Sequence, residues 1–275
     1  MSSPFPPDAD ASPRSSSPVL SRDALVAVLR AGGCVFAEEE AELILAAART
    51  PDEAAAMARR RAAGLPLEHV VGWAEFHGLR VRVEPGVFVP RRRTEFLVDQ
   101  ALAAAPHASV VVDLCCGSGA VGAALAASLG QIELHAADVD PVAVRCARGN
   151  IAGHGGHVHT GDLFTALPDR LRGRVDILAA NVPYVPTGEV PLLPPEAREH
   201  EPLAALDGGG DGLDVLRRVA AEARCWLAPG GCLLVETSER QATAAVEAFV
   251  LGGLTVRVAR DEDLYAHVVV GTRVR

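Results

Sequence analysis

The decapeptide NVPYVPTGEV, Asn181 to Val190, follows the apolar run VDILAA without a break. Interior strands more often turn on Gly or Asp, whereas this one ends on asparagine and is stiffened at once by Pro183 and Tyr184. A primary amide or an aromatic amine is a poor nucleophile because its nitrogen lone pair is delocalised. Two fixed acceptors on its two N–H groups make that nitrogen more tetrahedral and electron-rich. The Asn181 side-chain oxygen and the Val182 carbonyl suit that task. Pro183 restricts Val182 to an extended conformation, and Tyr184 supplies a flat face for a planar substrate. Read as structure alone, the same residues are a proline-rich strand exit.

Upstream, VVVDLCCGSGAVGAALA reads as strand, glycine turn and helix, an arrangement in which backbone N–H groups and a helix N-terminus meet a polar ligand. Asp113 ends the strand, where a carboxylate can take a cationic or hydroxyl partner. Gly117 and Gly119 let the chain approach a ligand closely. The dinucleotide fingerprint wants glycine where Cys115 stands, which disfavours a nicotinamide cofactor. About twenty residues on, Asp138 in LHAADVDP ends a second strand, the position that bonds ribose hydroxyls in nucleoside-binding α/β folds. Asp140 directly precedes Pro141 and reads as a helix N-cap. Asp162 in TGDLF is either a turn aspartate or an acceptor for an exocyclic amine such as that of adenine. Three acids after three successive strands, joined to one glycine loop, are a pattern rather than three accidents.

These residues need elements to hold them. The chain has 275 residues, 49% of them hydrophobic, enough for one large domain and a small one. A net charge of -9 gives no general attraction to a polyanion, so direct nucleic-acid binding is not expected; RRR at Arg91–Arg93 is the one obvious basic patch. All 26 basic residues are arginine. The six cysteines form no CxxC pair, so neither a zinc site nor a disulfide framework is indicated, and reduced thiols fit a cytoplasmic protein. No metal is expected. The start of the sequence lacks a hydrophobic signal core, and no apolar run reaches the roughly 18 residues of a membrane helix.

Residues 1–18 are rich in Ser and Pro and read as a disordered tail. Residues 19–66 contain three helical segments, SRDALVAVLRAGG, AEEEAELILAAAR and TPDEAAAMARRRAAG, the last with Thr50 as N-cap and Pro51 at the first helical position. Residues 67–90 read as a hairpin linker around the turn HGL. From residue 91 to 275, apolar strands alternate with Ala-rich helices in the βαβ rhythm of a parallel sheet, and the last two strands, with no helix between them, pair antiparallel. His77, His135, His154, His157 and His159 read as scattered; HGGHVH could bind a metal, but a polar loop before a strand is the stronger reading. Cys115 and Cys116 invite a nucleophile reading, but nothing in the sequence supplies a neighbouring base.

With these motifs the chain resembles the HemK/PrmC family of protein-(glutamine N5) methyltransferases. NVPY stands where that family carries Asn-Pro-Pro-Tyr. EHVVGWAEFHGLRVRVEPGVFVPRRRTEFLV is similar to its inter-domain hairpin and Pro-Arg-Pro-Glu-Thr-Glu segment. REHEPLAALDGGGDGLDVLRRV and LAPGGCLLVET are similar to its later loop and fifth strand. The resemblance implies a class I S-adenosylmethionine-dependent methyltransferase fold, Rossmann-like, with a mostly parallel sheet and an antiparallel C-terminal strand. It also implies an N-terminal helical domain that recognises the protein substrate. On this resemblance the loop of Cys115, Cys116, Gly117, Ser118 and Gly119 holds the methionine part of the cofactor, Asp138 its ribose, and Asp162 with Leu163 its adenine; Asp113 and Asn181 are expected among the cofactor-binding residues too. Asn181, Val182, Pro183 and Tyr184 hold the glutamine amide of a release factor or another translation protein. The chain departs from the family at Cys115 (for Gly), at Val182 (for Pro) and at PRRRTE, which loses one acid and gains positive charge. Two rival readings stay open: a nucleic-acid adenine N6 methyltransferase, which should show a basic face, and a non-catalytic cofactor-binding paralogue.

Overall fold

The structure, a computed structural model, describes residues 21–274. The tail expected over residues 1–18 lies outside them. Contacts between Cα atoms divide the chain into two compact units, with the division after Ala63.

The first unit holds α1 (Arg22–Ala31), α2 (Ala37–Ala47) and α3 (Pro51–Ala62). The Ser21 hydroxyl caps α1 by accepting from the Ala24 N–H, and Thr50 caps α3 by accepting from Glu53, so an orphan amide of each first turn is satisfied. Leu25, Leu29, Ala41, Ile44, Ala54 and Ala58 point inward. Gly32 lies so close to α3 that a Cβ would come within 2.6 Å of Ala62.

The second unit opens with α4 (Leu67–Val71), where the sequence reading had only the approach to a hairpin. Gly72, at φ 85°, ends this helix, and the His69 ring bonds the Val87 carbonyl at 2.8 Å. The hairpin of β1 (Trp73–Phe76) and β2 (Leu79–Arg82) turns on His77 and Gly78, both at positive φ, as a two-residue turn with matching twist requires. Then follow α5 (Glu95–Ala104), β3 (Val110–Leu114), α6 (Ala120–Leu129), β4 (Glu133–Asp138), α7 (Pro141–Ile151), β5 (His157–Thr160) and β6 (Val175–Ala180). The chain continues through α8 (Pro195–His200), α9 (Leu203–Leu206), α10 (Asp214–Trp226), β7 (Leu227–Thr237), α11 (Ala242–Leu251), β8 (Thr255–Asp261) and β9 (Ala266–Thr272).

The seven-stranded sheet has the order β5-β4-β3-β6-β7-β9-β8, with the first five strands parallel and β9 antiparallel to both neighbours. Because side chains alternate along a strand, Val112, Leu178 and Leu233 pack with α10 and α11, while Val111, Ile177 and Leu234 pack with α5, α6 and α7. Strand order reverses between β3 and β6, which leaves a crevice at their carboxyl ends. No helix among the described residues is long and apolar enough to cross a membrane.

Three histidines read as scattered are not. Parallel pairing sets His135 of β4 beside His157 of β5, and His159, two residues on, shares that face. The His135 ring stacks on both neighbours, and its Nδ1 lies 2.9 Å from His159 Nε2. The second half of HGGHVH, His157 to His159, is thus already strand, a long-range pairing that local polarity conceals.

Candidate functional site

Beyond Leu114 the chain cannot continue as a strand, because Cys115, Gly117 and Gly119 all have positive φ, 53°, 53° and 77°. Two of the three are glycines, which adopt this region without penalty; Cys115 is not. The Cys116 N–H bonds the Ala137 carbonyl at 3.1 Å, tying the loop to β4. Gly119 starts α6 in the left-handed conformation, and a Cβ there would stand 3.1 Å from that of Ala147. Ser118 is buried, and its carbonyl accepts from the Asn150 side chain at 2.8 Å.

Asp138 spans the loop and the next helix. Its Oδ2 accepts from Gly117 N at 2.9 Å and its Oδ1 from Asp140 N at 2.9 Å, while burial raises its pKa. Asp140 caps α7 as expected, accepting from Val142. Asp113 is only 1% exposed and accepts from Gly122 N at 2.9 Å; burial pushes its carboxyl up to about 7. Asp162 pairs with Arg218 of α10, and Leu163 beside it has φ 48°. Burial, followed by the Asp113 and Asp138 carboxylates, holds the Cys116 thiol well above the ordinary range, as suits a packed thiol rather than a nucleophile.

The Asn-Val-Pro-Tyr turn leaves β6 one strand away. Val182 is 1% exposed and Asn181 half-buried. Among the described residues, nothing hydrogen-bonds the Asn181 carboxamide or the Val182 carbonyl, so adjacent residues of one cavity wall carry two uncommitted acceptors. Tyr184 is the opposite, held at both its hydroxyl and its carbonyl. Its hydroxyl donates to Glu236 Oε1 at 3.1 Å and accepts from Arg93, and its carbonyl accepts from Gln241 Nε2 at 2.8 Å. Burial, then the Glu236 carboxylate, raises the phenol's pKa. The turn is walled by glycines: a Cβ at Gly208 would fall 2.6 Å from the Pro183 carbonyl, and one at Gly212 would fall 2.2 Å from that of Tyr184.

One cavity of about 650 Å³ gathers every site residue expected from the sequence except Gly119, which lies behind the loop as the start of α6. Several lining residues were not expected. Glu201, its side chain 1% exposed, accepts from Val89 N at 3.1 Å and from Arg91 Nη2 at 2.7 and 2.6 Å, which bolts the segment carrying α8 and α9 to the stretch before α5 in the cavity wall. Arg91 also lies 4.8 Å over the Phe88 ring. Arg93 bonds Glu236, which Thr94 bonds as well. The available signals were PRRRTE, read as a lost acid and added positive charge, and REHEPLAAL, matched without roles.

A family model described as "Methyltransferase small domain" matches residues 78–191. The chain is 42% identical over 204 residues to a release factor glutamine methyltransferase of Geobacter sulfurreducens, covering 72% of this chain and 71% of that one. It is 38% identical over 190 residues to a 4-amino-L-phenylalanine/4-methylamino-L-phenylalanine methyltransferase of Streptomyces pristinaespiralis, covering 66% of this chain and 64% of that one. Among solved structures, a methyltransferase from Pyrococcus furiosus superposes with a TM-score of 0.54 at 17% identity, over 72% of this chain and 90% of that one, a likeness of fold alone. With the glycine loop, the carboxylate at the end of β4 and the Asn-Val-Pro-Tyr turn converging on one cavity, the identity to the Geobacter protein settles the family: the chain belongs to the release factor glutamine methyltransferases.

Proposed function

We propose that this chain transfers a methyl group from S-adenosylmethionine to the side-chain amide nitrogen of a glutamine in a protein, specifically a peptide chain release factor. With such a substrate the reaction belongs in the cytoplasm. The observation that carries this reading is the pair of uncommitted acceptors, Asn181 Oδ1 and the Val182 carbonyl, in a cavity that also holds the glycine loop and Asp138. A primary amide presents two N–H donors in one plane, which two neighbouring acceptors match.

The cofactor side of the cavity fits its ligand. The positive-φ loop lets backbone approach closely, and Asp138 keeps acceptor capacity beyond its two backbone bonds, since each carboxylate oxygen has two lone pairs. When bound, S-adenosylmethionine supplies an electrophilic methyl group on a sulfonium. Asn181 and Val182 orient the amide and stabilise positive charge as its nitrogen becomes cationic. Such preorganised acceptors act most strongly where water is excluded, and the bolt of Glu201 on Arg91 and Val89 serves that exclusion. Tyr184, fixed by Glu236 and Arg93, keeps the turn from moving. Residues 21–63 carry none of these groups, and we assign them to selection of the protein substrate.

The test is mass spectrometry of a recombinant release factor incubated with the purified chain and labelled cofactor. The expected result is one added methyl on one glutamine, absent when that glutamine is replaced by glutamate. Labelling that survives the replacement, or appears on free 4-aminophenylalanine and not on protein, overturns the assignment.

A further inference from the structure

Asp162 is held unevenly. Its backbone is fixed: the carbonyl accepts from Thr165 N at 3.1 Å and from the Thr165 hydroxyl at 2.6 Å, and Gly161 N before it bonds the Asp138 carbonyl at 2.9 Å. Its carboxylate has a single hydrogen-bond partner among the described residues. Oδ2 accepts from Arg218 Nη2, 56 residues on in α10, and Oδ1 accepts from nothing. Both side chains are about half exposed, and both line the cavity, with Leu163 and Val215 beside them. Among the described residues the Leu163 N–H, next along the chain, is uncommitted as well. Oδ1 and this N–H are an acceptor and a donor on successive residues, which the amine of adenine and its neighbouring ring nitrogen complement.

We infer that Arg218 is a positioning residue for adenine selection: by holding Oδ2 it keeps Oδ1 available to the exocyclic amine of S-adenosylmethionine. This rests on the cofactor side of the reading above, with adenine at Asp162 and Leu163. A pair so exposed contributes little to stability, so its use lies in orientation. Without Arg218 the carboxylate turns freely, and part of the binding free energy of the adenine goes into ordering it. Hypoxanthine reverses the edge, since a carbonyl oxygen replaces the amine and the ring nitrogen carries a hydrogen. Oδ1 then meets an acceptor, and the Leu163 N–H meets a donor. Fixed polar groups reject such an analogue strongly, and a carboxylate that can turn away rejects it less.

Calorimetry with S-adenosylhomocysteine and S-inosylhomocysteine, which differ only at that edge, measures the selection. Wild-type protein should favour the adenine form. Arg218→Met keeps the apolar stem and removes the charge. It should lower the ratio of the hypoxanthine to the adenine dissociation constant about fivefold or more, the effect of one weakened hydrogen bond, with the melting temperature unchanged. Arg218→Lys, which restores one donor, should recover most of that ratio. A merely structural role would weaken both ligands alike, so an unchanged ratio overturns the inference, as does equal binding of both by the wild type. A further fall when Arg218→Met is added to Asp162→Asn overturns it too, because Arg218 would then meet the base directly. Wild-type protein that binds neither ligand instead overturns the cofactor reading.

Discussion

Arg93 and Glu236 stand 143 residues apart in sequence and meet with Nε to Oε1 at 3.0 Å, the guanidinium also touching the Tyr184 hydroxyl. The pair fixes the start of α5 to the end of β7, with the Asn-Val-Pro-Tyr turn between them. The Glu236 side chain is 3% exposed and the Arg93 side chain 46%, so water softens the pair on one side only. Arg93→Met should therefore cost about 1–2 kcal/mol, below the full penalty for breaking a buried pair. Adding Glu236→Gln should recover part of that loss. Melting curves of both single variants and the double variant measure the coupling, and strictly additive losses would disprove it.

Asn181→Ala should reduce single-turnover methyl transfer at saturating cofactor by about a hundredfold or more, the effect of one lost preorganised partner. Affinity for S-adenosylhomocysteine should change little, because the loop and Asp138 remain. Wild-type rates in this variant rule out the two-acceptor arrangement.

Asp138→Ala should weaken S-adenosylhomocysteine binding about tenfold or more, since a carboxylate paired with hydroxyls makes charge-assisted bonds of roughly 1.5–3 kcal/mol. The Gly117 N–H loses its acceptor in the same variant, so the loop loosens as well. Calorimetry decides; unchanged affinity in folded protein removes Asp138 from the site.

Cys115 occupies a left-handed position, φ 53°, that glycine adopts without strain. An L-residue there costs about 1–2 kcal/mol, against which glycine's extra chain entropy of about 0.4–1 kcal/mol must be set. Cys115→Gly should leave stability level or slightly raised, with cofactor affinity intact. Cys115→Val, β-branched, should melt several degrees lower. The reverse order of the two melting temperatures contradicts the strain argument.

Asp113 gives a pH signature. Its folded pKa, pushed up to about 7 by burial, exceeds the unfolded value, so between roughly pH 4 and 7 the folded state binds more protons than the unfolded one. Its contribution to stability is therefore full below that window and is lost as pH rises through it. Asp113→Asn should flatten that component. Urea midpoints of wild type minus variant, measured from pH 4.5 to 8, should fall with pH; a flat difference places the carboxyl pKa near its ordinary value.

Much of the site was legible because its residues are close in sequence to strand ends. Asp113, Asp138 and Asn181 each terminate or follow a run of apolar residues, and a parallel sheet brings such termini together at one edge. What could not be read were pairings over long separations. Glu201 with Arg91, Glu236 with Arg93 and the stacked His135, His157 and His159 depend on how loops and neighbouring strands meet. Gly208 and Gly212 had no role readable from DGGGDG, and the crowding of the Pro183 and Tyr184 carbonyls explains them. The helix α4 escaped because five residues are too few for a periodicity to show.

The position of β9 between β7 and β8 bears on how the protein is made. Until residues 266–272 have been synthesised, β7 presents an unpaired edge and β8 has no neighbour in the sheet at all. A nascent chain held at that stage exposes backbone donors and acceptors along an apolar strand, the condition under which strands recruit the wrong partner. Folding of this unit on the ribosome thus waits for one late hairpin, and slowed translation near its codons should show itself as aggregation rather than as reduced activity of the finished molecule.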